Sequence, residues 1–463
     1  MKVNLEECSV RRSIILSFCC ILSGCSTMGF NDLFNDYATQ MTPVRHAIEN
    51  NNLEEAQSLI AKNSAMHSSY LLNQLEQARL NDLANAPSDA QTKFENVYTQ
   101  MQNKREAAKV QLSAGLEQSN ALFTNDSAIT YVPPAYEMSL LHSFKALNYV
   151  YKNDIEGALV EVRRANKVQV DALADNQTDI DSTVKEAQQH YPSMSNVTRD
   201  VKNGFQNAYT FYLSALLYQS AKQYDDAYID YKKALAIQPD NIYLQRDVMR
   251  LAKKQGFDQD LAEFKKRYSE ASSISANQGE VVVLFEQGLV PKQDEFKLRL
   301  PIYTSGGDAR FYSLAMPVYK DNAYVRGVNN INIDSQSLEL SPLVHIEALA
   351  AKTLEEQIPA KVARQVLRLV AKEKVRAELA RSAGDVGNIL ANIYNLASEQ
   401  ADTRSWLTLP NQISVARSSV SAGEHLVNIG NHPPINFTVS KQRLTLIYLT
   451  SINNYFNYHV VQL

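Results

Sequence analysis

The chain has 463 residues, 45% of them hydrophobic and 21% charged, with a formal net charge of −4. This is ordinary globular composition, and the length predicts two to three domains. The balance of charge gives no reason to expect nucleic acid as a partner.

The first informative stretch is at the start. Arg11 and Arg12 precede a ten-residue apolar run, Ser13 to Leu22, and then Ser23, Gly24 and Cys25. A basic patch, a short apolar core and small residues at a cut site make a secretory signal peptide. The run is too short for a bilayer, which takes roughly 20 residues in a helix. Small residues ending in Cys resemble the lipobox of bacterial lipoproteins. That resemblance implies cleavage of the Gly24–Cys25 bond, lipid on the Cys25 thiol and a covalent anchor in the membrane. Glu6 and Glu7 dilute the basic region, so the start is expected further in. In the same family the residue after Cys directs sorting, and Ser26 implies the outer membrane, facing the periplasm.

Processing would remove residues 1–24, taking Lys2, Arg11 and Arg12 with Glu6 and Glu7, so the net charge moves from −4 to −5. It would also remove Cys8, Cys19 and Cys20 of the four cysteines, leaving Cys25 alone. No disulfide framework or thiolate metal site is then expected.

Residues 25–270 read as helices, with apolar residues at spacings of three and four. From Ala208, the residues Phe211, Ala215, Tyr218, Ala227, Tyr231, Ala234 and Pro239 stand where a tetratricopeptide repeat needs them. Small Ala215 and Ala227 let antiparallel helices cross closely, Tyr218 and Tyr231 fill the groove, and Pro239 ends the second helix. The alanine that opens the second helix recurs. Ala158 has Ala146 and Tyr149 ahead and Ala165 behind; Ala90 has Ala78 ahead and Phe94 behind; Ala56 follows a polar turn. The intervals 56→90, 90→158 and 158→227 are 34, 68 and 69 residues, one, two and two periods of about 34. Such arrays bind partners on a concave face. The tyrosines at 209–231 read as core. Asp175, Asp179 and Asp181 lack the glycine and closing glutamate of a calcium loop.

After a linker at 271–279 the character changes. Val281 to Phe285 is a continuous apolar run and reads as a buried strand. Strands are also expected at 296–300, 311–319, 325–333, 337–340, 413–417, 425–429, 435–439, 443–449 and 458–462, separated by glycine and proline turns. The fold class is therefore α + β, a tetratricopeptide-like helical array followed by a β-rich, antiparallel sandwich-like domain over 280–463. A helical block at about 346–400 interrupts it. There Pro359 suits a first helical turn, and Lys361, Arg364, Arg368, Lys372, Lys374 and Arg376 make a basic face, read as solvated over a packed stripe. Asp402, Arg404 and the single Trp, Trp406, crowd one short connection, which predicts a buried ion pair under an aromatic lid or, alternatively, a ligand site.

The stretches Leu141 to Ala165, Val281 to Gly288 and Ala401 to Pro410 resemble an uncharacterised family of proteobacterial outer-membrane lipoproteins with tetratricopeptide-like repeats. The resemblance implies an envelope role near cell-wall synthesis. No catalytic motif stands out: the eight histidines lack zinc-hydrolase spacing, and there is no nucleophile elbow or phosphate loop. The expected function is a non-enzymatic, lipid-anchored envelope scaffold that binds protein through a helical-repeat groove, without cofactor or metal. The alternative is an envelope enzyme or glycan-binding module in the β-rich domain.

Overall fold

The computed structural model describes residues 36–114, 126–174, 191–199, 201–268, 275–303, 309–320, 327–369 and 400–463. Gly24, Cys25, Asp175, Asp179, Asp181 and residues 372–376 lie outside them.

Helices come first, in antiparallel pairs: α1 (Tyr37–Glu49) with α2 (Leu53–Leu59), α3 (Tyr70–Leu83) with α4 (Pro87–Ala114), and α5 (Ala135–Tyr151) with α6 (Ile155–Ala174). A one-turn α7 (Ser195–Thr198) precedes α8 (Ala208–Ser220) with α9 (Tyr224–Ile237) and α10 (Ile242–Gln255) with α11 (Asp258–Arg267). All five pairs close with the same turn. Asn51, Asn85, Asn153, Lys222 and Gly256 each take a left-handed conformation, with φ between 57° and 71°. The residue after each donates its N–H five residues back, as in Asn52 to Ala47 (2.8 Å), Gln223 to Tyr218 (2.8 Å) and Phe257 to Ala252 (2.9 Å). This is a Schellman closure, which satisfies the carbonyls left over at a helix end.

Five residues beyond four of these turns stand Ala56, Ala90, Ala158 and Ala227, all fully buried. A methyl group is all that fits where the second helix leaves the turn against the first. Ala146, Ala165, Ala215 and Ala234 are equally buried, as are Phe94 and Tyr231; Phe211 and Tyr218 are nearly so. Tyr149 packs half-buried against the core. Pro239 is exposed, just past the end of α9.

The sheet region begins at β1 (Gln278–Gln287) and continues with β2 (Asp294–Tyr303), β3 (Ala309–Val318), β4 (Asn330–Ile333), β5 (Gln336–Glu339) and β6 (Ser341–His345). The helix α12, described over 346–369, follows. After it come β7 (Gln412–Ser421), β8 (Gly423–Ile429), β9 (Ile435–Val439), β10 (Leu444–Ile452) and β11 (Tyr455–Gln462). They form a five-stranded sheet in the order β11-β10-β1-β7-β6, a β2-β3 ribbon and a four-stranded sheet β5-β4-β8-β9. Every pair is antiparallel except one. β1 runs parallel to β10, with Val282 opposite Leu446, so the main sheet is mixed where uniform antiparallel pairing was expected. An apolar run buried on both faces states that a strand is central but not which way its neighbour runs. β6 was not anticipated; its five residues include Pro342, which reads as a break.

Two expectations for 346–378 need correction. Pro359 lies well inside α12 rather than in its first turn. The basic face is not wholly solvated either, since Arg368 is buried in an ion pair with Asp126.

Chain order separates helices from strands, but packing does not. A single core cluster includes Leu75 of α3, Phe144 of α5, Leu216 of α8, Phe285 of β1, and Leu446 and Leu449 of β10. Helices and strands share that core.

Candidate functional site

In arrays of this kind the first helix of each pair lines the concave, inner face, and in this chain each of those helices reaches the chain's own C-terminal region. On α10, the Tyr243 hydroxyl donates to the Glu339 carbonyl (2.7 Å). The Asn241 side chain capping that helix donates to the Pro342 carbonyl (2.9 Å). On α8, Tyr209 and Tyr448 of β10 share a hydrogen bond between hydroxyls (3.2 Å). The helices α5, α3 and α1 hold the extended segment 401–410.

That segment is fastened through its backbone. On α3, Glu76 Oε1 accepts the Leu407 N–H (2.7 Å), and Oε2 accepts the Thr408 N–H (3.0 Å) and hydroxyl (2.6 Å). On α5, Glu137 accepts the Trp406 N–H (2.9 Å) and the hydroxyls of Tyr131 and Tyr136. On α1, Arg45 donates to the carbonyls of Leu407 (2.6 Å) and Val290 (2.8 Å). Both carboxyls are fully enclosed, and burial pushes each up to about 7 against the pull of these hydrogen bonds.

The sequence-selected trio sits in this segment and divides its work. Arg404 grips Asp402 with Nε (2.7 Å) and Nη2 (2.8 Å) and donates to the carbonyls of Ile129 (3.0 Å) and Asp126 (2.9 Å). Despite burial, Arg404 holds the Asp402 carboxyl down at about 2. The ion pair therefore forms as anticipated, but Trp406 is not its lid. The indole is fully buried between Phe94 and Phe144, each 5.9 Å away between ring centres, and its N–H donates to Thr408 (3.0 Å). Beside the ion pair lies a cavity of about 340 Å³, also lined by Lys361, Arg364, Tyr131 and Glu137.

Deeper charges brace helix to sheet. Arg79 of α3 pairs with Glu286 of β1, which also accepts from Tyr448 (2.7 Å) and Thr450 (2.9 Å). Arg417 of β7 binds Asp247 of α10 (3.0 Å) and Glu280 of β1 (2.7 Å). Within the helices, buried Lys145 and His142 meet Glu161 at 3.0 and 2.7 Å. Sequence reading missed all of these. Their one signal is a charged residue at a position that helical or strand spacing gives to the core, as with Arg79 between Ala78 and Leu80.

Among the described residues no group of three or more His, Cys, Asp and Glu is placed to hold a metal ion, and no helix is long and apolar enough to cross a membrane.

No family model matches the sequence, and no curated protein matches it. Among solved structures the chain is similar to a MamA protein, at 11% identity and TM-score 0.28, covering 49% of this chain and 87% of that one. It is also similar to MamA from Desulfovibrio magneticus RS-1, at 12% identity and TM-score 0.28, covering 49% and 90%. A third is the TPR2AB domain of yeast Sti1 in its pHSP90 complex, at 11% identity and TM-score 0.19, covering 49% and 87%. At these TM-scores the likeness carries no argument about this chain.

Proposed function

We propose that this protein is a lipid-anchored cell-envelope scaffold, tethered through Cys25 to the outer membrane and holding a protein partner at a fixed place, within envelope or cell-wall biogenesis. The anchor rests on the run from Arg11 to Cys25 and on Ser26. The inner face of the helical array is taken by segment 401–410 and the sheet, so a partner has to engage another surface. β11 offers one. It is the outer strand of the five-stranded sheet among the described residues, it carries no Lys, Arg, Asp or Glu, and it leaves Tyr458 and Val460 47% and 37% exposed. An edge strand presents backbone donors and acceptors to a further strand, of which the Tyr458 N–H is held only locally, by Asn457 Oδ1 (2.8 Å), and natural proteins usually blunt such edges with charge. An extended partner segment adding as a strand fits that chemistry. This uncharged, part-exposed edge is the observation that carries the reading.

The enzyme or glycan-binding alternative has less support. Two cavities touch Asp402 and Arg404. The larger has no histidine among its described lining residues. The other reaches His67 but encloses only about 30 Å³, room for a water and not for a sugar, and Arg404 already donates to three groups.

Photo-crosslinking in intact cells from residue 458 or 460, with Cys25→Ser as a control, tests the proposal. The expected result is one dominant protein adduct that Val460→Lys abolishes and a Cys25→Ser chain released from membranes. Adducts unaffected by Val460→Lys would remove the edge-strand reading, and a Cys25→Ser chain that is cleaved yet membrane-bound would remove the anchor.

A further inference from the structure

The end of the helical array meets the sheet at a second cleft, between α10–α11 and the β9–β10 turn. It encloses about 740 Å³, within the range of small-ligand sites. Of its described lining side chains, seven are Lys or Arg and one, Glu280, is acidic. Glu280 is already paired with Arg417, and of the seven cations Arg250 pairs with Asp247 (3.2 Å) and Lys254 lies over the Tyr224 ring. The whole chain is net negative, so this concentration of positive charge is local.

Part of the charge has a structural role. Lys253 and Lys254 sit in the last turn of α10 and Lys265 in that of α11, where cations suit the helix dipole. The dipole does not account for the rest. Lys441 and Arg443 come from the β9–β10 turn and Lys222 from the α8–α9 turn, so three separate segments converge. Gly279 lets the first of these turns come close. A Cβ there would lie 2.3 Å from the Ser440 carbonyl oxygen, and the Gln442 N–H donates to the Gln278 carbonyl (2.9 Å) while the Arg443 carbonyl accepts from the Glu280 N–H (2.9 Å).

Lys222 is the more telling. At the equivalent left-handed position the other four hairpins use Asn51, Asn85, Asn153 and Gly256, the residue types that adopt it at least cost. Here a Lys takes it, at φ 63°, and lines the cleft. Met249, Leu261 and Leu463 give the same cleft apolar wall.

We infer that the cleft between α10–α11 and the β9–β10 turn binds a ligand carrying clustered phosphate groups on an organic body. Several cations in one cleft call for several negative charges in a small volume, which phosphates supply, and the apolar wall accepts the body. Such a ligand has two possible sources, a phospholipid headgroup or a soluble phosphorylated molecule.

The test is calorimetric titration of the full chain with inorganic triphosphate at low salt, and co-sedimentation with phosphatidylglycerol and phosphatidylcholine vesicles. The triple variant Lys222→Asn/Lys441→Gln/Arg443→Gln should weaken triphosphate binding at least tenfold. The charge-matched control Lys62→Gln/Lys152→Gln/Lys202→Gln, exposed sites away from the cleft, should leave it unchanged. Phosphatidylglycerol vesicles that compete with triphosphate, and lose binding in the same triple variant, identify a headgroup; triphosphate binding without vesicle competition identifies a soluble ligand. All the altered side chains are exposed, and thermal unfolding of both variants verifies that they fold. Absence of binding to triphosphate and to vesicles, or equal loss in the control, overturns the inference.

Discussion

Glu76 and Leu407 stand 331 residues apart in sequence, yet the carboxylate of one accepts the backbone N–H of the other at 2.7 Å. With Thr408 on its second oxygen, Glu76 ties the inner face of the helical array to the chain's own extended segment. A tetratricopeptide-like array is therefore held closed on an internal occupant.

The two buried carboxyls should respond differently to amide replacement. Each Glu76 oxygen faces a backbone N–H, so in Glu76→Gln the new NH2 opposes a donor whichever way it turns. A cost of about 2–3 kcal/mol is expected, that of a buried donor left unpaired. In Glu137→Gln the carbonyl oxygen keeps the Trp406 N–H while the NH2 meets the Tyr131 hydroxyl, which can turn to accept. About 1 kcal/mol or less is expected there. Urea unfolding of the two variants checks the order.

Stability should depend on pH through Glu137. Burial raises its folded-state value from 4.5 to about 7, so between those limits the folded chain holds a proton that the unfolded chain has released. The contribution is fully present below about pH 4.5 and is lost as pH rises through 7. The stability of the native chain minus that of Glu137→Gln should fall across this window, by at most about 1.4 kcal/mol per pH unit. A difference that is flat or rising contradicts the assignment.

Asp402 should show the opposite sign. Arg404 holds it at about 2 despite burial, so its contribution is present above the unfolded value near 3.8 and is lost as pH falls toward 2. Compared with Asp402→Asn, the native chain should lose its advantage only on that acid side, as read by thermal unfolding from pH 5 to pH 2.

The hairpin turns predict a pair of opposite effects. Asn153→Ala puts a Cβ residue without a local side-chain acceptor into a left-handed position and should destabilise by about 1 kcal/mol. Lys222→Asn restores the residue used at Asn51, Asn85 and Asn153 and should stabilise by up to about 1 kcal/mol. Melting temperatures that move the same way in both variants would contradict this.

Much of the helical array was legible because close packing at a repeated turn permits only alanine, and Ala56, Ala90, Ala158 and Ala227 keep that spacing. The turn residues five places earlier carry the same period and are equally readable in retrospect. Strand positions were legible from apolar runs and turn residues, apart from β6. Strand direction was not, because burial of Val281 to Phe285 is the same beside a parallel or an antiparallel neighbour. The contents of the concave face were hidden too. Local spacing states that Glu76 and Arg79 lie among core positions but not that Thr408 and Glu286 wait opposite them, hundreds of residues away. The crowding at Asp402, Arg404 and Trp406 did mark the right segment, while the partners of Trp406 depended on two helices far upstream.

The most direct test of the closed array is native-state hydrogen exchange at Trp406, Leu407 and Thr408. Their amides are bonded to Glu137 and Glu76 inside the array, so they should exchange as slowly as those of Val282 and Val283 in β1, and Glu76→Gln should speed Leu407 and Thr408 selectively. Exchange of these amides at the rate of an exposed loop would mean that the segment does not occupy the inner face in solution and that the array is not closed.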